Sequence, residues 1–370
     1  MDKAQAMIKD DLTSWLTLHH LPSVSLAAKL TLIRRFGDAT LALSAKSNEL
    51  SEFLAEGGDD GCLSRKAHSR IKQDRDWLEQ PEHHLLTFKD QRYPPLLREI
   101  PDPPLLLFVA GDVAVLKNAQ ISIVGSRNPS ASGCDNARTF AAHLAEAGFT
   151  ITSGMALGID AVAHRGALAV GGTTIAVAAC GLDQIYPHRH KELADQIMKS
   201  GAIVSEFSIG TPPRRNHFPR RNRLISGLSA GTLVVEAAKL SGSLITARLA
   251  ANQGREVFAI PGPIHSSLSR GCNALIRDGA KLVENLQDIL DELGHWTRPR
   301  AKSLEAMTVP TLKKTQDAPL LELIGYEPTS VDRLIERSRL TPDAVCTMLL
   351  KMELQGLIEA CPGGTYIRTA

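Results

Sequence analysis

Three observations predict a doubly wound α/β fold, built on a parallel sheet, for the middle of this 370-residue chain. Short apolar runs recur at ISIVG (121), FTITSG (149), TTIAVAA (173), AIVSE (202), TLVVEA (232), REVFAI (255) and KLVE (281). Read as largely continuous apolar strands, these runs fit a sheet buried on both faces. Helical patterns separate most of them, at Cys134 to Ala147, Gly158 to Val170, Lys191 to Ser200, Ser243 to Gln253 and Cys272 to Asp278. Finally, the turns after the first two runs place small residues, Gly125-Ser126 and Ser153-Gly154, at the strand ends, as tight turns allow.

The elements follow in order. From Asp10 to Trp77, apolar residues such as Leu26, Leu30 and Ile33 stand three and four apart, which predicts short packed helices over residues 1–85. PPLLREIPDPP, at 94–104, holds five prolines and is expected to be a connector, so residues 86–109 divide this helical module from a sheet domain at 110–295. A polar, proline-containing stretch over 296–318 reads as a linker. Residues 319–370 then present three short helices, with Pro342 in the first turn of the third, and a terminal pair of strands around Pro362-Gly363-Gly364. Three helices and a hairpin make a winged-helix pattern.

Composition limits the function. The chain carries 42 Lys and Arg against 40 Asp and Glu, a net +2, so any nucleic-acid or membrane role must come from local clustering of charge. Six cysteines form no C-x-x-C pair and no histidine pair stands at ligand spacing beside them, so neither zinc nor a disulfide framework is expected. The first residues, MDKAQAMIKDDL, lack the apolar core of a signal peptide, and no apolar window reaches the roughly 18 residues of a membrane span. A cytoplasmic protein with reduced thiols is expected.

Several segments carry candidate chemistry. The first strand of the sheet ends in Gly125-Ser126-Arg127-Asn128-Pro129, matching neither a dinucleotide fingerprint nor a P-loop. It offers close backbone approach, a hydroxyl, helix N-H groups and a planar guanidinium suited to phosphate, although a turn glycine beside a surface arginine accounts for the same residues. Ser153 to Asp160 (SGMALGID) places a second small-residue loop on the same rim. The strongest signal is TPPRRNHFPRRNR, Thr211 to Arg223, with five arginines, no acid and an interleaved Phe218. Arginines around a stacking aromatic suit single-stranded nucleic acid, and a solvated basic loop with Phe218 in the core is the alternative. Glu236, at a strand end before the Ser241-Gly242-Ser243 helix start, fits either anion binding or simple capping.

Taken together, GSRNPS (125), SGMALGIDAVAHRGAL (153), AVAACGLDQIYPHRH (176), the long run from HFPRRNRLISG (217) to IPGP, and SRGCNALIRDGAKLV (269) resemble the DNA-processing protein A (DprA/Smf) family over about 110–290. The resemblance implies a Rossmann-like domain that binds and protects single-stranded DNA. It also implies a homodimer, loading of the RecA recombinase during natural transformation, no catalytic reaction and no cofactor. By this resemblance the DNA contacts are Gly125, Ser126, Arg127, Arg215, Phe218, Arg221, Asn222 and Arg223, with Lys191 after the Tyr186-Pro187 turn.

The N-terminal module is similar to SAM-like or helix-hairpin-helix-like units. Its turn Leu21-Pro22-Ser23-Val24-Ser25 carries serines where a DNA-binding hairpin has glycines, which argues against close phosphate approach. The third C-terminal helix, Asp343 to Leu354, has Lys351 against Asp343 and Glu353, so protein contact or packing is expected there. The rival reading is a nucleotide-processing enzyme. Gly231 to Glu236 resembles the glycine-rich loop of phosphoribohydrolases, with Ser229 and Ala230 interrupting the glycines. A structural adaptor working through its end modules is the third possibility.

Overall fold

The structure is a computed structural model that describes residues 3–21, 24–45, 65–296, 318–324, 328–338 and 340–369. Pro22 and Ser23 of the first turn, Cys62, and the expected linker between residues 297 and 317 lie outside the described residues. The chain divides into two units, Met1–Ala301 and Lys302–Ala370.

In the first unit, helices α1 (Lys3–His20), α2 (Leu26–Phe36), α3 (Ala39–Leu43) and α4 (Arg65–Leu78) make the expected N-terminal module. Ser25 caps α2 by accepting from the Ala28 amide at 3.2 Å, and Asp38 caps α3 through the Thr40 amide at 2.6 Å. Trp15, Leu16, Leu30, Ile33 and Trp77 are buried together.

The sheet begins earlier than the sequence suggested. Strands β1 (His83–Thr87) and β2 (Leu106–Gly111) pair antiparallel, and β2 continues antiparallel onto β6 (Ala202–Ser205). Residues 86–109 are therefore not a connector. Pro94 and Pro95 open a short helix, α5 (Pro95–Glu99), because proline is tolerated where the first-turn N-H has no helical partner. The apolar run that follows is strand. Along β2, Leu106, Phe108 and Ala110 belong to the core of the helical module while Leu107 and Val109 belong to the core of the sheet. That two-sided burial ties module and sheet into one unit.

All seven apolar runs are strands: β3 (Gln120–Val124), β4 (Thr150–Ser153), β5 (Thr174–Val177), β6, β7 (Gly231–Val234), β8 (Glu256–Ala259) and β9 (Lys281–Leu282). The order is β1-β2-β6-β5-β4-β3-β7-β8-β9, parallel from β6 to β9. Helices α6 (Ala131–Glu146), α7 (Ile159–Ala169), α8 (Lys191–Ser200) and α12 (Leu286–Leu293) cover one face. The other is covered by α5, α9 (His217–Leu228), α10 (Gly242–Asn252) and α11 (Arg270–Arg277). This is the doubly wound, Rossmann-like arrangement.

The second unit holds α13 (Ala318–Leu323), α14 (Val331–Ser338) and α15 (Pro342–Leu354) with a three-stranded antiparallel sheet of β10 (Thr329–Ser330), β12 (Thr365–Arg368) and β11 (Ile358–Cys361). Leu334, Val345, Leu349, Met352 and Ile358 form its core. Pro342 stands in the first turn of α15, as its sequence predicts. Among the described residues, no helix is long and apolar enough to cross a membrane and no His/Cys/Asp/Glu group could hold a metal ion.

Candidate nucleic-acid interface

In a doubly wound sheet the strand order reverses at the crevice between its two halves, here β3 and β7, and ligands ordinarily enter there. This crevice is filled by the protein itself. Ser130 caps α6, accepting from the Gly133 amide at 3.0 Å, and its hydroxyl donates to Glu236 at 2.5 Å. The Ser130 amide donates to the other Glu236 oxygen at 3.0 Å. A Cβ on Gly133 would run into that carboxylate, so the close seat of Glu236 against α6 depends on the glycine. Glu236 thus occupies the anion site that a helix N-terminus offers.

The open pocket lies to one side, beyond the carboxyl ends of β4 and β5. It is lined by Arg127 from the β3 loop, Gly154 to Leu157, Ala178 to Cys180, Tyr186, Pro187 and Pro213, with Phe218 and Arg221 from α9. Phe218 stands in the first turn of α9, where Pro219 is also tolerated. Its ring centroid is 5.8 Å from that of Tyr186, which is 46% exposed, and the Arg127 guanidinium sits 5.6 Å from it. Two aromatic rings and an exposed cation therefore share one mouth, a geometry that receives a planar group carrying negative charge.

Arg221 forms the floor. It is 4% exposed and donates from one nitrogen to the carbonyls of Gly154 and Val177, at 2.5 Å each. These carbonyls close β4 and β5, so a single guanidinium ties together the two loops that line the pocket. Buried Asp160 lies beside it, and a Cβ on Gly154 would come within 2.7 Å of the Asp160 carboxylate and 2.8 Å of the Arg221 guanidinium carbon. Burial pushes Arg221 down to about 10 and Asp160 up, each toward its neutral form, so desolvation outweighs their mutual attraction. Next in the loop, Met155 adopts a left-handed φ of 57°, which costs a non-glycine residue on the order of 1 kcal/mol. His190 Nδ1 holds the Met155 carbonyl at 3.0 Å.

The cationic segment enters α9 at His217, and its arginines divide by exposure. Arg214, Arg215 and Arg220 are exposed. Arg223 is 4% exposed, and its guanidinium is taken by Glu206 and by the carbonyl and carboxylate of Asp102. The phosphate contacts expected of Arg221 and Arg223 therefore start from buried guanidiniums: that of Arg223 is engaged by Glu206 and Asp102, while Arg221 bonds carbonyls through one nitrogen and keeps its place in the pocket lining. Asn222 reaches the Gly242 carbonyl at 3.4 Å. Ser126 accepts from the Asn128 amide at 3.1 Å and, with Gly125, shapes the loop that carries Arg127. Arg215 stands on the segment leading to Phe218 without lining the pocket, and exposed Lys191 opens α8 outside the lining.

Residues 84–294 match the family described as DNA recombination-mediator protein A, and 305–364 match the DprA winged helix domain. The chain belongs to this family. It is 48% identical over 297 residues to Protein Smf of Escherichia coli strain K12, covering 79% of each chain. The DNA processing protein DprA of Streptococcus pneumoniae is 47% identical over 203 residues, or 55% of this chain and 72% of that one. The crystal structure of DprA from S. pneumoniae superposes with a TM-score of 0.64 at 36% identity, covering 75% of this chain and 95% of that one. A Helicobacter pylori DprA structure, described for its single-stranded DNA binding mode, gives 0.53 at 31% identity over 59% of this chain and 98% of that one.

Within this DNA recombination-mediator A member, Arg127, Phe218 and the loop at 153–160, which sequence alone singles out, all contribute to the pocket lining. Sequence reasoning missed Tyr186 as a second aromatic, Pro213, and Glu206 as the acid that holds the α9 arginines. One signal was available: Arg221, Leu224, Ile225 and Leu228 recur at helical spacing, which puts an arginine on a buried face.

Proposed function

We propose that this DNA recombination-mediator A member binds and protects single-stranded DNA and loads a RecA-type recombinase onto it during transformation, acting in the cytoplasm as a homodimer. The observation that carries the reading is the pocket where exposed Arg127 stands over Phe218, with Tyr186 beside it and buried Arg221 beneath. A base seats between the rings while Arg127 and the exposed arginines 214 and 215 follow the backbone, an arrangement that favours any unpaired base over a stacked duplex. Gly125, Ser126, Asn222 and Lys191 shape or flank this track, and Arg221 and Arg223 support it from within. Occupation of the β3/β7 crevice by Glu236 argues against nucleotide processing there.

The test is titration of labelled single- and double-stranded oligonucleotides at several salt concentrations, with the oligomeric state measured in parallel. Arg127→Ala is expected to weaken single-strand binding and lower the salt slope by about one. Phe218→Ala is expected to cost about 1 to 3 kcal/mol with the slope unchanged. Equal binding of duplex and single strand, with both variants matching the parent, would overturn the reading.

A further inference from the structure

The segment between β6 and α9 does more than connect them. Glu206 is 3% exposed, and its Oε2 receives both Arg220, at 2.9 Å, and Arg223 from α9. Its Oε1 is buried with no hydrogen-bond partner among the described residues. A buried carboxylate with one free oxygen depends on its cations, so Glu206 is tied closely to α9. Phe207, next in sequence, stacks on His217 with centroids 4.3 Å apart and an interplanar angle of 22°, and the Arg220 guanidinium lies 5.4 Å from its ring. His217 immediately precedes Phe218.

The same strap is held from behind by the N-terminal module. Ser208 Oγ meets His19 Nε2 of α1 at 3.0 Å. The Ile209 amide donates to Asp74 of α4 at 2.9 Å, and the other Asp74 oxygen meets His20 Nε2 at 2.7 Å. Asp74 is fully buried and Ser208 is 5% exposed. Lys29 of α2 donates to the His19 carbonyl at 2.6 Å and so fixes the helix end from which both histidines project. Four consecutive residues, Glu206 to Ile209, therefore contact α9 on one side and α1 and α4 on the other.

We propose that Asp74, Ser208 and Glu206 are positioning residues, forming a relay through which the N-terminal helical module sets the orientation of Phe218, and so the stacking of a DNA base, without touching DNA. The relay rests on the single-stranded DNA reading above. Polar contacts on both sides of one short strap, most of them buried, transmit displacement, because losing them leaves buried partners such as Asp74 and Arg223 unsatisfied. The module's role is then geometric, in keeping with a hairpin turn that lacks the glycines needed to approach phosphate.

The test uses the full chain, an oligothymidylate carrying one 2-aminopurine, and the variants Glu206→Gln, Asp74→Asn and Ser208→Ala. Fluorescence quenching at saturation reports base stacking, the salt slope reports phosphate contacts, and thermal unfolding reports integrity. The variants are expected to bind about 2- to 30-fold more weakly, Glu206→Gln most, with reduced quenching and an unchanged salt slope. Should Glu206→Gln or Asp74→Asn fail to fold, Ser208→Ala, which deletes one hydroxyl, decides. Folded variants with the parent's quenching and affinity would overturn the relay, as would weaker binding with full quenching and a smaller slope. Failure of the parent to bind single strands would instead overturn the reading on which it rests.

Discussion

The β3/β7 crevice and the pocket beyond β4 and β5 sit on the same rim of one sheet, and each is braced by a charged side chain turned inward. In the crevice Glu236 presents both oxygens to Ser130, so the amide and hydroxyl of that cap residue are already used. In the pocket Arg221 presents donors to the Gly154 and Val177 carbonyls, leaving the space above it to Arg127, Phe218 and Tyr186. The difference teaches which part of the rim stays open. Glu236 takes the anion position at the start of α6, and one step along the sheet Arg221 satisfies backbone carbonyls beneath an open pocket.

The largest effect expected from this contrast is on the floor of the pocket. Arg221→Ala leaves two buried carbonyls and Asp160 without their cation and should destabilise the protein by about 3 to 5 kcal/mol, read by urea unfolding. A loss confined to DNA affinity would mean that Arg221 is a ligand and not a brace. A smaller effect is expected in the crevice: Ser130→Ala removes the α6 cap and one donor to Glu236, at a cost of about 1 kcal/mol in stability. Single-strand affinity should stay at the parent level. If it fell as far as in Phe218→Ala, crevice and pocket would be one site.

The finest distinction uses two buried thiols. Burial pushes Cys180, in the pocket lining, up to about 11, and Cys272, whose thiol meets the Val234 and Val235 carbonyls, up to about 12. A thiol whose pKa is raised on folding favours the folded state below the unfolded value, near 9, and that contribution fades as pH climbs through the folded value. At pH 8 both should resist iodoacetamide while exposed Cys346 reacts, and Cys180 should gain reactivity only toward pH 11. Saturating single-stranded DNA should then slow Cys180 and leave Cys272 unchanged, as followed by mass spectrometry; equal protection of both would erase the contrast.

Much of this was legible because it is local. Every apolar run from Ile121 onward is a strand, since continuous burial leaves a continuous signal. Arg127 and Phe218 stood out by charge and by context. The prolines at 94–104 misled because proline interrupts a helix interior but opens a first turn, and α5 begins on Pro95. The arginines of α9 misled differently. Five cations in one stretch read as phosphate ligands, whereas helical geometry turns Arg221 and Arg223 inward. Glu206 and Tyr186 left no sequence signal, because their partners lie on segments brought together only by the fold.

Strand β2 carries a consequence for how the molecule comes apart. Since Leu106, Phe108 and Ala110 complete one core while Leu107 and Val109 complete another, neither core can loosen without releasing side chains from the same strand. The helical module and the sheet should therefore behave as a single cooperative unit in hydrogen exchange, with β2 amides among the slowest in the chain. A cut near residue 110 would strip the sheet core of Leu86, Tyr93, Leu97, Ile100, Leu107 and Val109, whereas the two units of the chain divide between residues 301 and 302.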